Sequence, residues 1–162
     1  MRIGVFSDTH GDISALSAFL NELGKLDCIF HLGDYSRDAS RLAERLHCPF
    51  HAVRGNCDYS SDAPYERILE LQNKRFFLTH GHRYADEYAL AERAEKNNCD
   101  AIFYGHSHVP SLSAQGKILI CNPGSLSKPR YCSKRSCALV VVEEDVYIKL
   151  LSAESSISKL RI

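Results

Sequence analysis

Three short apolar runs, separated by two stretches of helical periodicity, confine this chain to few possible folds. The first run lies in Arg2 to Ser7 and contains Ile3, Val5 and Phe6; the second is Cys28 to Leu32 and the third Phe50 to Val53. Between the first two, Asp12 stands where a helix cap is expected. Ile13, Leu16, Phe19, Leu20 and Leu23 then recur at helical spacing, and Gly24 suits the exit. Between the second and third, Ser36 opens a predicted helix with Ala39, Leu42, Ala43 and Leu46 on one face, stopped by Cys48-Pro49. Strand–helix–strand–helix–strand order predicts a parallel sheet with right-handed crossovers. Ligands bind such sheets at the carboxyl ends of the strands. The residues found there are Asp8-Thr9-His10, Gly33-Asp34 and Gly55-Asn56.

The second half is richer in strand signals. Ile68 to Gln72 and Arg75 to Thr79 flank the polar Asn73-Lys74 and predict a hairpin that ends at His80-Gly81-His82. Arg83 to Asn97 reads as a helix with Tyr84, Tyr88, Ala91 and Ala94 as its core-facing stripe. Ala101 to Tyr104 is a further buried strand, ending at Gly105-His106-Ser107-His108. Ile118 to Cys121, Cys137 to Val142 and Val146 to Leu151 follow as strands, the last two antiparallel about Glu143-Glu144-Asp145. Residues 1–152 are read as one α/β domain. The Ser-rich residues 153–162 are left as a C-terminal tail without an element.

Composition narrows the partners. Twenty Lys and Arg balance twenty Asp and Glu, so there is no global attraction to nucleic acid or to an anionic membrane surface. No apolar run approaches the roughly 20 residues that cross a bilayer, and the N-terminus turns polar too soon for a signal peptide. Seven cysteines, an odd number without a C-x-x-C pair, argue against a disulfide framework and for a reducing, cytoplasmic setting.

The polar residues at the strand ends are Asp8, His10, Asp34, Asn56, His80, His106 and His108. Two carboxylates, one amide oxygen and four imidazoles make a mixed N/O donor set. Such a set suits catalytic zinc, manganese, iron or nickel rather than a Cys-rich structural zinc site. Seven donors exceed the need of one tetrahedral ion; with one bridging carboxylate they divide into two sets of four. A merely structural reading, in which these residues cap strands and turns, would gather polar groups at one edge without partners.

The ordered motifs Asp8-Thr9-His10, Gly33-Asp34, Gly55-Asn56-Cys57-Asp58, His80-Gly81-His82 and Gly105-His106-Ser107-His108, with Asn122-Pro123-Gly124-Ser125 downstream, resemble the calcineurin-like metallophosphoesterases, closest to their small phosphodiesterase branch. The resemblance implies a four-layer α/β-β/α sandwich with mixed sheets and a two-metal site between them. It implies one metal on Asp8, His10, Asp34 and His108 and another on Asp34, Asn56, His80 and His106. A hydroxide between the two ions would attack a phosphate ester, and Asp34, Asn56, His80 and Asp58 are the residues expected in catalysis. The ions expected are two divalent metals, Mn²⁺ first, with Ni²⁺, Zn²⁺, Fe²⁺ or Mg²⁺ as alternatives. Many members carry His where this chain has Cys57, and a neutral thiol is a poor substitute for imidazolium as general acid.

Around this set, Arg54, His82 and Arg130 are expected to touch substrate, although Arg54 could instead pair with Asp58 or Asp62. The Asn122–Ser125 turn is expected to pack beneath the metals, and His31 to be a hydrogen-bonded core histidine. The expected function is hydrolysis of a small phosphate ester, a diester before a monoester, by a chain that can form homo-oligomers. Two other readings stay open: a non-catalytic, metal-binding interaction scaffold of the same fold, and a single-zinc hydrolase.

Overall fold

A computed structural model describes residues 1–153 with their side chains and 155–161 as backbone; residues 154 and 162 lie outside it. The first half forms β1 (Arg2–Phe6), β2 (Cys28–His31) and β3 (Phe50–Ala52), paired in parallel as the alternation predicts. The first connection departs from the predicted single helix. Ser14–Ala18 is a 3₁₀ helix and only Leu20–Leu23, α1, is α-helical. The apolar residues Ile13, Leu16 and Phe19 are spaced by three, which matches the 3₁₀ repeat, where residues three apart share a face. Asp12 accepts the Ser14 amide at 2.8 Å, and Gly24 closes the segment at φ +58°. The second connection is α2 (Asp38–Leu46), which buries Ala39, Leu42 and Ala43.

The second half forms β4 (Glu66–Leu71) and β5 (Lys74–Thr79), antiparallel about Gln72 and Asn73, both at positive φ as a tight hairpin turn requires. The next helix, α3 (Glu87–Glu95), starts later than predicted because Asp86 caps it through the Ala89 amide. Its buried stripe is Leu90, Ala91 and Ala94, while Tyr88 is 75% exposed, which corrects the predicted stripe. Then come β6 (Ala101–Phe103), β7 (Pro110–Gln115), β8 (Ile118–Pro123), β9 (Ser136–Val142), β10 (Val146–Ser152) and β11 (Ser155–Arg161). The sequence reading assigned neither β7 nor β11, and both lie at sheet edges.

One sheet runs β11-β10-β9-β1-β2-β3 and the other β4-β5-β6-β8-β7, each with parallel and antiparallel pairs. Strand residues alternate between two apolar clusters, as the two-residue period requires. Val5, Phe30, Phe76, Leu78 and Phe103 fill the space between the sheets. Phe6 and Ile29 face outward to Phe19, Leu23 and Leu42, whereas Phe77 and Ile102 face outward to Leu90 and Ala94. Three apolar interfaces separate four layers: helices, sheet, sheet, helix. Phe30, Phe76 and Phe103 join the sheets through rings 5.7–6.1 Å apart, within the range of favourable aromatic pairs. Among the described residues no helix is long and apolar enough to cross a membrane.

Candidate metal centre

Every candidate ligand follows a strand that has at least one parallel neighbour in its sheet. Asp8 and His10 follow β1, Asp34 follows β2 and Asn56 follows β3; His80 follows β5, and His106 and His108 follow β6. One sheet therefore gives four candidates and the other three. Asp8, His10, Asp34, His106 and His108 all have φ between 45° and 69°. Non-glycine residues seldom adopt that region, and a cluster of them marks a place where local strain is held for function. Two glycines let the loops meet. A Cβ on Gly33 would lie 2.5 Å from the Gly55 amide nitrogen, and one on Gly55 would lie 2.5 Å from the Asp34 amide nitrogen.

Asp8, His10, Asp34 and His108 each offer a donor atom, all within 4.8 Å of one another. His108 Nε2 lies 3.1 Å from Asp8 Oδ1 and 3.3 Å from His10 Nε2. On the other side, His80 Nε2 lies 3.2 Å from Asn56 Oδ1 and 3.4 Å from Asp34 Oδ1. The His106 ring is 5.2 Å from the His80 ring, and its own backbone amide donates to Asp8 Oδ2.

The hydrogen bonds behind these rings decide what they can hold. His80 Nδ1 donates to the Leu32 carbonyl at 2.7 Å, and His108 Nδ1 donates to the Lys128 carbonyl at 2.6 Å. In the neutral rings each Nε2 then keeps a lone pair, and those lone pairs face carboxylate and amide oxygens or another imidazole nitrogen. Acceptors turned on acceptors repel unless a proton or a cation lies between them. Asp8 Oδ2 is satisfied by Ser7 Oγ at 2.6 Å, but the buried Oδ1 has no aligned hydrogen-bond donor. The donor chemistry and this orphaned oxygen fit a cation.

The electrostatics agree at Asp8, His10 and His106 and run the other way at His108. Burial alone would raise the Asp8 carboxyl, but His108 and His80 bring it below its ordinary value. Burial lowers His10 against the pull of Asp34, and lowers His106 with help from His80, so both favour the neutral, metal-binding form. His108 is raised, chiefly by its contact with Asp8.

The other predicted residues take distinct places. Both oxygens of Asp58 accept backbone amides, from Ser36 at 2.7 Å and Gly55 at 2.8 Å, so it braces the loops carrying Asp34 and Asn56. The Cys57 amide donates to Asp34 Oδ1, and burial together with Asp34 pushes its thiol up to about 11. Arg54 pairs with neither Asp58 nor Asp62; its donors go to the Ser61 carbonyl and the Tyr65 hydroxyl. His82 lies 5.3 Å from His80, ring to ring, and burial lowers it. Arg130 bonds the His108 carbonyl through its amide, leaving its side chain exposed. Ser125 Oγ donates to the Asp8 carbonyl, so the Asn122–Ser125 turn packs beneath the centre as expected.

Sequence reasoning missed a buried brace. Thr9 Oγ1 donates to Asp38 Oδ2 at 2.7 Å and lies 3.0 Å from His31 Nε2, while the Gly11 amide also donates to Asp38. A carboxylate at the start of α2 thus fixes the loop that carries Asp8 and His10. A threonine between two ligands was the visible signal, though its partner 29 residues on was not.

The chain is similar to known proteins in sequence and in fold. Residues 1–145 match the family model described as the calcineurin-like phosphoesterase superfamily domain. The chain is 34% identical over 155 residues to the phosphodiesterase YfcE of Escherichia coli strain K12, covering 80% of this chain and 82% of that one. Its fold matches a predicted phosphoesterase from Streptococcus pneumoniae TIGR4 with a TM-score of 0.80 and 30% identity, over 99% of this chain and 96% of that one. The zinc-complexed Vps29 of Entamoeba histolytica matches with a TM-score of 0.82 but 21% identity, over 100% and 98% of the two chains, a likeness of fold alone. The matched segment contains all seven candidate ligands, the whole five-stranded sheet and β1, β2, β3 and β9 of the other, and the chain belongs to the calcineurin-like phosphoesterase superfamily.

Proposed function

We propose that the centre holds two divalent cations and that the protein hydrolyses phosphodiesters. The observation that carries this reading is the division of Asp34. Its Oδ2 faces His10 Nε2 at 3.7 Å, while its Oδ1 faces His80 Nε2 at 3.4 Å. A carboxylate turned both ways can serve two sites. Asp8, His10, Asp34 and His108 would hold one cation; Asp34, Asn56, His80 and His106 would hold the other. Divalent cations there supply Lewis-acid charge to a phosphoryl group and lower the pKa of an attacking water. The N/O donors suit Mn²⁺, the first ion to test, and also accept Zn²⁺, Ni²⁺, Fe²⁺ or Mg²⁺.

The chain's own work is positioning. The Leu32 and Lys128 carbonyls fix the His80 and His108 rings, and Asp58 fixes the backbone that presents Asn56. Cys57 contributes its amide to Asp34 and remains a neutral thiol near pH 7. The exposed Arg130 places positive charge near enough to His106 to lower its pKa. The likeness to a relative named a phosphodiesterase supports the choice of a diester.

The test is Asp34→Asn. The metal-to-protein ratio in Mn²⁺, read by elemental mass spectrometry, should fall from two to one or none. Hydrolysis of bis(4-nitrophenyl) phosphate should drop by several orders of magnitude. One tightly held ion in the wild type would favour a mononuclear hydrolase. Normal Mn²⁺ binding without cleavage of any diester or monoester would overturn the enzymatic reading in favour of a scaffold.

A further inference from the structure

The rim of the centre carries two guanidinium groups on a single aromatic ring. Arg54 Cζ stands 3.9 Å from the Tyr65 ring centroid, and Arg83 Cζ stands 4.6 Å from it. The two cations are thus no farther apart than the sum of those distances, which is about one Debye length at physiological salt. Among the described residues, neither meets a carboxylate. Arg54 donates to the Ser61 carbonyl and the Tyr65 hydroxyl, both uncharged, and Arg83 has its ring contact and a charge interaction with His82. Three acids close by in sequence are engaged elsewhere: Asp58 with the Ser36 and Gly55 amides, Glu66 with Arg93 and Tyr84, and Asp86 with the Ala89 amide. Two like charges gathered without a counter-ion repel each other, and an anion set between them reverses the sign of that interaction.

This pair adjoins the metal centre. The Tyr65 ring lies 6.0 Å from the His82 ring, which lies 5.3 Å from His80 and 6.2 Å from His106. A continuous wall of rings leads from the two arginines to the candidate ligands. Within it, His82 Nδ1 is buried without a hydrogen-bond partner. Guanidinium groups match phosphate oxygens through paired donors, and stacking on a ring limits the freedom each side chain gives up on binding.

We propose that Arg54 and Arg83, stacked on Tyr65, bind a second phosphate carried on one arm of the phosphodiester. The preferred substrate class is then a diester with a phosphorylated arm. This inference rests on the phosphodiesterase reading above and adds an anion site to it. Arg54 and Arg83 recognise charge remote from the scissile bond, so the gain should appear mainly in KM.

A matched pair of chromogenic diesters tests it in the Mn²⁺-loaded protein: thymidine 5′-(4-nitrophenyl phosphate) and the same compound with a 3′-phosphate. At low salt kcat/KM should favour the 3′-phosphorylated compound by at least about tenfold, the scale of one charge-assisted contact. The preference should shrink as salt rises. In Arg83→Gln, a change at an exposed position, the ratio between the two substrates should fall to about one. A ratio of one in the wild type overturns the anion site and leaves the phosphodiesterase reading standing. If neither compound is cleaved, the phosphodiesterase reading fails and calorimetry on chelator-treated protein judges the anion site by itself. Thymidine 3′,5′-bisphosphate binding more tightly than thymidine 5′-monophosphate, with the difference lost in Arg83→Gln, upholds it; equal affinities overturn it.

Discussion

Adding one methyl group at Gly55 tests how closely the two loops must meet. A Cβ there would lie 2.5 Å from the Asp34 amide nitrogen and 3.0 Å from His80 Cδ2, and would strike Asp34 Oδ1. The first contact is about 1 Å short of ordinary van der Waals distance, and it is made to backbone, which yields less readily than a side-chain tip. Asp34 faces both His10 and His80, so a displacement of that size disturbs both halves of the centre. A misplacement of about 1 Å can lower a rate about 10²-fold, equivalent to about 2.7 kcal/mol of transition-state stabilisation. Gly55→Ala should therefore reduce Mn²⁺-dependent hydrolysis of bis(4-nitrophenyl) phosphate by about 10²-fold or more. Metal content should fall with it, while the far-ultraviolet circular dichroism remains that of the wild type. Gly116→Ala, in the turn between β7 and β8, is the control for backbone strain away from the centre: its φ of +59° disfavours a Cβ although nothing lies within 4 Å of one. Gly55→Ala protein with full metal content and a rate within about threefold of wild type would refute the argument from close approach.

Other expectations concern proton linkage, the core and the thiol. Burial, against the pull of Asp38, holds His31 down to about 4 from an ordinary value of 6.5. Between those values the unfolded chain binds a proton that the native state refuses, so stability falls as pH drops from 6.5 towards 4, by about 3 kcal/mol in all. Urea unfolding of chelator-treated protein should show a shallower pH slope in His31→Gln; identical slopes would remove His31 as the cause. Phe30→Ala empties the ring contact between the sheets and should cost about 3–5 kcal/mol by the same assay. Cys57→Ala should keep most of the activity on an aryl diester, whose leaving group needs little protonation; near-total loss with full metal content would make the thiol the proton donor.

The sequence displayed the centre more clearly than it displayed the edges of the fold. Asp8, Asp34, Asn56, His80 and His106 follow apolar strands at once or within a few residues, so strand periodicity alone points to them. β7 is illegible because Pro110-Ser111-Leu112-Ser113-Ala114-Gln115 opens on proline and carries one large apolar residue, as an edge strand with a half-exposed face can. β11 lay in a Ser-rich stretch and gains its order from pairing with β10, a contact that no local pattern announces. The first connection reads as one α-helix because spacings of three and four look alike over so few residues. Period alone puts Tyr88 in the core, whereas α3 starts at Glu87 behind its Asp86 cap and buries Leu90, Ala91 and Ala94 instead. The pairing of Arg54 and Arg83 on Tyr65 was equally hidden, since it joins the loop after β3 to the turn after β5.

The division of ligands between the sheets makes the centre a rivet. Four candidates sit on one slab of the sandwich and three on the other, so neither slab owns a full coordination set. Cation binding there would favour the closed sandwich over any state in which the slabs part, by mass action, in proportion to the logarithm of metal concentration. Stripping the ions should loosen the seam between the sheets before it melts either sheet, and amide exchange near His80 and His108 should quicken first.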